Sequence, residues 1–175
     1  ALSAFIRDNR LQIRPNCAAR TMIRDVEPIA RISQKVGIPI EACVFIGSSP
    51  IRQYSEDWTL ETLLKHTRES VSFAVQEGLP VMYVTEDTTR ADPGTLRELY
   101  RAAIECGAKR VCICDTVGHS LPEGVERLVR HVCRIVEETG ASVGVDWHGH
   151  RDRGLAVVNT LAAIRAGATR VHGCA

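Results

Sequence analysis

The sequence has no surplus of either charge. Its 175 residues carry 22 Lys+Arg against 21 Asp+Glu, a net of +1, so it lacks the basic footprint of a nucleic-acid-binding domain. No apolar run approaches the roughly 18–20 residues of a membrane span, and no signal-peptide pattern opens the chain. Nothing resembles a disulfide framework either. The 7 cysteines are odd in number and irregular in spacing, several inside apolar runs such as Val111-Cys112-Ile113-Cys114. That usage fits buried thiols in a reducing cytoplasm. A G-x-G-x-x-G dinucleotide fingerprint is also missing. What remains is a chain 45% hydrophobic and 25% charged. It is long enough to bury roughly 70% of its unfolded surface without staples.

Short β-branched apolar runs alternate with longer stretches of helical period. The pattern predicts strands over Gln12–Ala18, Ile40–Gly47, Val81–Thr85, Arg110–Cys114, Ser142–Trp147 and Thr169–His172. It predicts helices over Ile23–Val36, Leu60–Glu77, Pro93–Cys106, Pro122–Thr139 and Leu155–Ala166. Gly37, Gly78, Gly107 and Gly140 each follow a helix, where a left-handed cap favours glycine, and Pro93 and Pro122 open two others. Alternation of this kind implies a parallel sheet covered by helices.

A polar cluster follows every predicted strand: Asn16–Arg20, Gly47–Pro50, Thr85–Arg90, Asp115–His119, His148–Asp152 and His172–Cys174. An open doubly wound sheet gathers its chemistry at one switch point, whereas a closed barrel spreads it over many strand ends. The expected fold is therefore an α/β TIM (β/α)8 barrel. His148 and His150 are two apart on a strand end and project to the same side, a spacing that lets both imidazoles reach one metal ion. Two hydrogen-bonded loop histidines are the alternative. Glu86 ends another strand and is placed either to orient substrate or move a proton, or to cap the next helix. Thr116 offers a hydroxyl to a carboxylate or to a turn, and Arg20 a cation to an acidic substrate or to a surface ion pair. Cys112 and Cys114 face the same way but read as core thiols, since their C-x-C spacing lacks a helix start.

Together these segments resemble the DRE-TIM metallolyase superfamily, in its 2-isopropylmalate and homocitrate synthase branch. The longest match runs from His148-Gly149-His150-Arg151-Asp152 through Asn159 to Ala168, and three more follow the family order: Phe45–Ile51, Glu86–Asp92 and Asp115–Gly118. The resemblance implies a barrel enzyme that condenses the acetyl group of acetyl-CoA with a 2-oxoacid. Its divalent metal ion (magnesium, manganese or zinc) would polarise the ketone, and thioester hydrolysis would release CoA. Carried over, it makes His148 and His150 metal ligands, sets Glu86 beside the reacting carbons and puts Thr116 on the oxoacid carboxylate. Arg20, Ser48, Met82 and Val84 become substrate contacts. An apolar Met82/Val84 wall would leave a second carboxylate unpaired, which favours a short apolar 2-oxoacid such as 2-oxoisovalerate over 2-oxoglutarate. A homodimer in the cytoplasm is the associated expectation, with no nucleic-acid or membrane partner.

The chain also departs from the family. It has no first-strand Asp-Arg-Glu segment, which supplies a third metal ligand and an arginine. Cys43 stands where His is common, Val84 where Ser is frequent and Arg151 where Asn is usual. Six strand-end markers against the eight of a closed barrel make residues 1–175 a partial catalytic domain covering about strands 3 to 8. The competing readings are a retro-aldol lyase of the same superfamily, such as hydroxymethylglutaryl-CoA lyase or 4-hydroxy-2-oxovalerate aldolase, and a non-catalytic incomplete barrel.

Overall fold

The structure, a computed structural model, describes residues 1–174; Ala175, the end of the expected domain, lies outside the described residues. Six strands, β1 (Asn16–Arg20), β2 (Glu41–Gly47), β3 (Val81–Glu86), β4 (Arg110–Asp115), β5 (Gly144–Gly149) and β6 (Arg170–Val171), form one sheet. All pair in parallel, each with its successor in the chain. Spatial order therefore equals chain order. A doubly wound sheet must reverse direction at a switch point, and this one never does. It is the wall of a (β/α)8 barrel, represented by six consecutive strands.

The helices are α1 (Leu2–Asp8), α2 (Ile23–Val36), α3 (Pro50–Glu56), α4 (Leu60–Gln76), α5 (Pro93–Glu105), α6 (Pro122–Glu138) and α7 (Ala156–Ala166). Helix α6 shows how sequence builds the outer layer. Val125, Val129, Val132 and Ile135 recur at helical spacing and are all buried, and Pro122 occupies the first turn, where a missing N–H costs nothing. Asp92 caps α5 by accepting the Thr95 N–H at 2.8 Å. The four glycines expected to close helices all have positive φ.

Strand alternation splits the sheet into two faces. Val44, Ile46, Tyr83, Val111, Ile113, Val145 and Trp147 turn outward into the main core beneath the helices. Cys43, Met82, Cys112 and Cys114 turn inward as a separate sulfur-rich cluster, with Val84 against it.

The structure shifts the ends of several expected elements and adds a helix; β6, for one, is Arg170–Val171 rather than Thr169–His172. β1 starts at Asn16 rather than Gln12, because Pro15 has no N–H for a ladder and Gln12–Arg14 lie outside the sheet. β5 runs on through His148 to Gly149, so the first histidine of the pair belongs to the strand itself. Helix α3 occupies what reads as a polar loop after Gly47. No helix among the described residues is long and apolar enough to cross a membrane.

Candidate metal-binding groove

The inward face lines a groove of about 760 Å³ that runs from Asn16 and Arg14 to Glu86, Thr116 and His150. Its sides are Ala18, Cys43, Phe45, Met82, Val84, Cys112 and Cys114, with His148, Arg170 and His172 along β5 and β6. Six of the expected site residues, Glu86, Thr116, Met82, Val84, His148 and His150, line it together, with Met82 the more deeply buried of the Met82/Val84 pair.

The Nε2 atoms of His148 and His150 approach to 3.2 Å. Two nitrogens bound to one cation at about 2.0–2.1 Å in tetrahedral geometry stand roughly 3.3 Å apart, so the donor pair fits a divalent ion. Gly149 between them has no side chain for a local reason: a Cβ there would lie 2.8 Å from Trp147 Nε1. His148 is pushed below the ordinary histidine pKa first by burial, then by the neighbouring His172 and His150, which keeps the ring in its neutral, ligating form. Among the described residues no group of three or more His, Cys, Asp or Glu side chains could hold a metal ion. Two donors of this kind could contribute to a metal site and would leave its other positions open.

Behind the pair lies an ionic network with no forewarning in the sequence motifs. Asp146 is fully buried. Its Oδ1 accepts from Arg110 Nε at 2.5 Å; Oδ2 accepts from Arg170 Nε at 2.5 Å and faces His172 Nε2 at 3.0 Å. Burial opposes ionisation of Asp146, but hydrogen bonds from His172 and Arg170 and the charges of Arg110 and Arg170 outweigh it and hold the carboxyl below its usual range. Arg170 also reaches Glu41 at 2.8 Å and Met82 Sδ at 3.0 Å. His172 Nδ1 stands 3.1 Å from His148 Nδ1. The contacts among Asp146, His148, Arg170 and His172 join residues 24 to 26 apart in sequence. The Asp146↔Arg170 register of β5 and β6 is the signal that would have found them.

On the opposite rim, the Thr116 hydroxyl accepts the Asp87 N–H at 2.8 Å, so its own proton remains available to a ligand. Asp87 is held at φ 61° by that bond and by a bidentate pair with Arg90. Glu86 is half-buried, and its nearest cation is Arg52 of α3, at 3.7 Å. The Asp115 carboxylate accepts the His119 and Ser120 N–H groups and the Thr89 hydroxyl, which folds the loop after β4. Gly118 in that loop has φ 60°, and a Cβ there would come within 2.9 Å of the His150 carbonyl and the Asp152 N–H. The loops after β4 and β5 therefore pack backbone to backbone, and the His150 N–H donates to the Asp115 carbonyl.

Two expected substrate contacts fall elsewhere. Ser48 is fully buried, and both its N–H and its hydroxyl donate to the Glu86 carbonyl at 3.0 Å. It anchors the end of β3 and does not face the groove. Arg20 lies outside the groove on the exposed edge of β1, where its guanidinium is engaged at 2.5 Å by Asp25 of α2. The first helical turn beyond the strand captures it as a surface ion pair. Met82 is 3% exposed, so it forms floor more than wall, and Val84 is the more open of the two.

Comparisons with known proteins identify the family. Residues 5–175 match the family described as HMGL-like. The chain is 40% identical over 130 residues to the 2-isopropylmalate synthase of Sulfurisphaera tokodaii, covering 74% of the chain and 33% of that protein. It is 33% identical over 156 residues to the 2-isopropylmalate synthase of Sediminispirochaeta smaragdinae, covering 88% and 31%. The mitochondrial homocitrate synthase of Schizosaccharomyces pombe is 32% identical over 155 residues, covering 89% and 36%. The chain spans between 21% and 36% of the length of such curated relatives. Among solved structures, the carboxyl transferase domain of Rhizobium etli pyruvate carboxylase superposes with a TM-score of 0.70 over 97% of the chain and 28% of that chain, at 19% identity. That likeness concerns the fold alone.

Proposed function

The chain belongs to the HMGL-like family, and on that premise we propose that it forms the metal-bearing part of a catalytic barrel that condenses acetyl-CoA with a 2-oxoacid. The observation that carries this reading is the His148/His150 pair, 3.2 Å apart at Nε2, in one groove with Glu86 and Thr116. The names of its relatives, 2-isopropylmalate and homocitrate synthase among them, point to the same chemistry.

His148 and His150 would hold a divalent cation, which when bound supplies Lewis-acid stabilisation of the charge developing on a ketone oxygen. The remaining roles belong to the chain's own side chains. The free proton of Thr116 donates to the oxoacid carboxylate and fixes its orientation. Glu86, open to the groove and weakly paired, sits where a proton must leave or return at the reacting carbon. The Asp115-anchored loop carrying Thr116 and the strand carrying the histidines are locked together through Gly118, so donor and ligands keep their spacing.

Selectivity follows from the groove's charge. Arg170 reaches Met82 on the substrate wall, and Glu41 and Asp146 already neutralise it, while Arg14 lines the groove beside Asn16 at the end away from the histidines. Val84 and Met82 offer a second carboxylate no partner, and burying one unpaired is costly. The substrate is therefore a monocarboxylic 2-oxoacid with a short apolar side chain, such as 2-oxoisovalerate. Residues 1–175 act as part of one catalytic domain, in keeping with their share of their relatives' length. The test is release of free CoA thiol from acetyl-CoA by the full protein across a panel of 2-oxoacids. Turnover with 2-oxoisovalerate above that with 2-oxoglutarate is expected. The reverse order would overturn the specificity, and no thiol release with any 2-oxoacid would overturn the reaction.

A further inference from the structure

The residue after β6 does more than border the groove. His172 stands between Asp146 and His148, with Nε2 3.0 Å from Asp146 Oδ2 and Nδ1 3.1 Å from His148 Nδ1. The geometry points to His172 as a positioning residue that selects the tautomer of His148 and aims its Nε2 lone pair into the groove. The inference deepens the metal-site reading above and rests on it for its consequence, though not for the tautomer itself.

Asp146, His172, His148 and His150 form a chain of donors and acceptors. Asp146 is buried and flanked by two guanidinium groups, each at 2.5 Å, so it is an ionised carboxylate and can only accept. The nitrogen facing it, His172 Nε2, must therefore carry a proton. A neutral imidazole with Nε2–H has its lone pair on Nδ1, and that lone pair faces His148 Nδ1. His148 must then donate from Nδ1, which leaves its Nε2 without a proton. Nε2 is the atom directed at His150 across 3.2 Å. His150 is exposed and makes no other side-chain hydrogen bond among the described residues, so its ring is free to adopt either tautomer as a ligand arrives.

Register makes the relay possible. Asp146 and His148 share the inward face of β5, and pairing of Trp147 with Val171 brings His172 alongside them. The His172 N–H donates to the Trp147 carbonyl at 3.0 Å, which fixes the backbone of the positioning residue to the strand it serves. Partners of this type, behind a ligating histidine, typically change metal affinity 10–100-fold when removed.

The test has two readouts, both on the full protein. In the metal-free state at about pH 8, above the ordinary histidine range, ring 15N NMR is expected to show His148 protonated at Nδ1 and bare at Nε2. His172→Gln, whose carboxamide repeats the acceptor–carbon–donor order of the imidazole, should keep that spectrum, and His172→Phe should lose it. A wild-type ring protonated at Nε2 would overturn the relay. Titration with Mn(II) alone is expected to give an affinity about 10–100-fold weaker in His172→Phe and close to wild type in His172→Gln. Equal affinity in all three proteins would overturn its role in ligation. If His148→Ala binds Mn(II) as tightly as wild type, the metal-site reading fails while the tautomer spectrum still decides the relay. If His172→Phe does not fold, the wild-type spectrum and the Gln variant carry the test.

Discussion

The two faces of the sheet are one residue apart in sequence and far apart in chemistry. Along β5, Val145 and Trp147 turn outward into a dry core, while Asp146 and His148 turn inward to an ionic relay. On β3, Tyr83 and Thr85 turn outward, where the Tyr83 and Tyr100 hydroxyls are satisfied by Thr67 and Thr85. Met82, Val84 and Glu86 turn inward to the groove. Outward positions are filled by volume and matched hydroxyls, whereas inward positions carry sulfur, charge and imidazole. The period of two thus separates stability from function within single strands, and changes to the two faces should be felt in different measurements.

The largest effect belongs to the outer face. Trp147 is fully buried under the helices, and Trp147→Ala should cost about 3–5 kcal/mol of stability, read as a lower denaturant midpoint in the full protein. A loss well under that would mean the outer face does not carry the core. Next comes Thr116, on the rim of the inner face. Thr116→Val removes the free hydroxyl, and a hydrogen bond to a charged group is worth about 1.5–3 kcal/mol. KM for the oxoacid should therefore rise by about 10–100-fold, and stability should fall by about 1–3 kcal/mol because the buried Asp87 N–H loses its acceptor. A fall in stability with KM unmoved would make Thr116 a loop anchor only.

These expectations rest on positions that differ in how plainly the sequence announces them. Helix α2 was legible to the residue, because apolar spacing and Gly37 mark both its period and its end. Strands β2, β3 and β4 begin within a residue of where their apolar runs begin. The sequence was less informative where polarity and geometry diverge. His148 reads as following its strand but lies within it, and the polar cluster Gly47–Pro50 leads directly into α3. The placement of Glu86, Thr116 and the histidine pair in one groove was readable because each lies at a strand end on its inward side. Ser48 and Arg20 also end strands, but proximity to a strand end does not say where a side chain goes. One is consumed by the Glu86 carbonyl and the other by Asp25. Asp146, Arg170 and His172 were invisible as a unit, since their contacts exist only through the pairing of β5 with β6.

Two smaller effects sharpen the contrast further. Asp146 is held below the usual aspartate range, so the stability it contributes is complete above about pH 3.9 and is lost as pH falls through its depressed folded value. Asp146→Asn should flatten that acid limb of the stability–pH curve; an unchanged slope would mean the inner network contributes nothing to folding. The smallest effect concerns the thiols. Burial, followed by the charge of Glu41, pushes Cys43 up to about 12, so at neutral pH it should resist iodoacetamide while exposed Cys17 is alkylated. Equal labelling rates would show that the inner sulfur cluster is open to solvent.

The proposed metal ion would sit on the inward face of β5. Elemental analysis of the full protein, purified alongside a His148→Ala, His150→Ala variant, addresses it most directly. Bound divalent metal in the wild type that is absent from the folded variant is the predicted result, and an unchanged stoichiometry would contradict it.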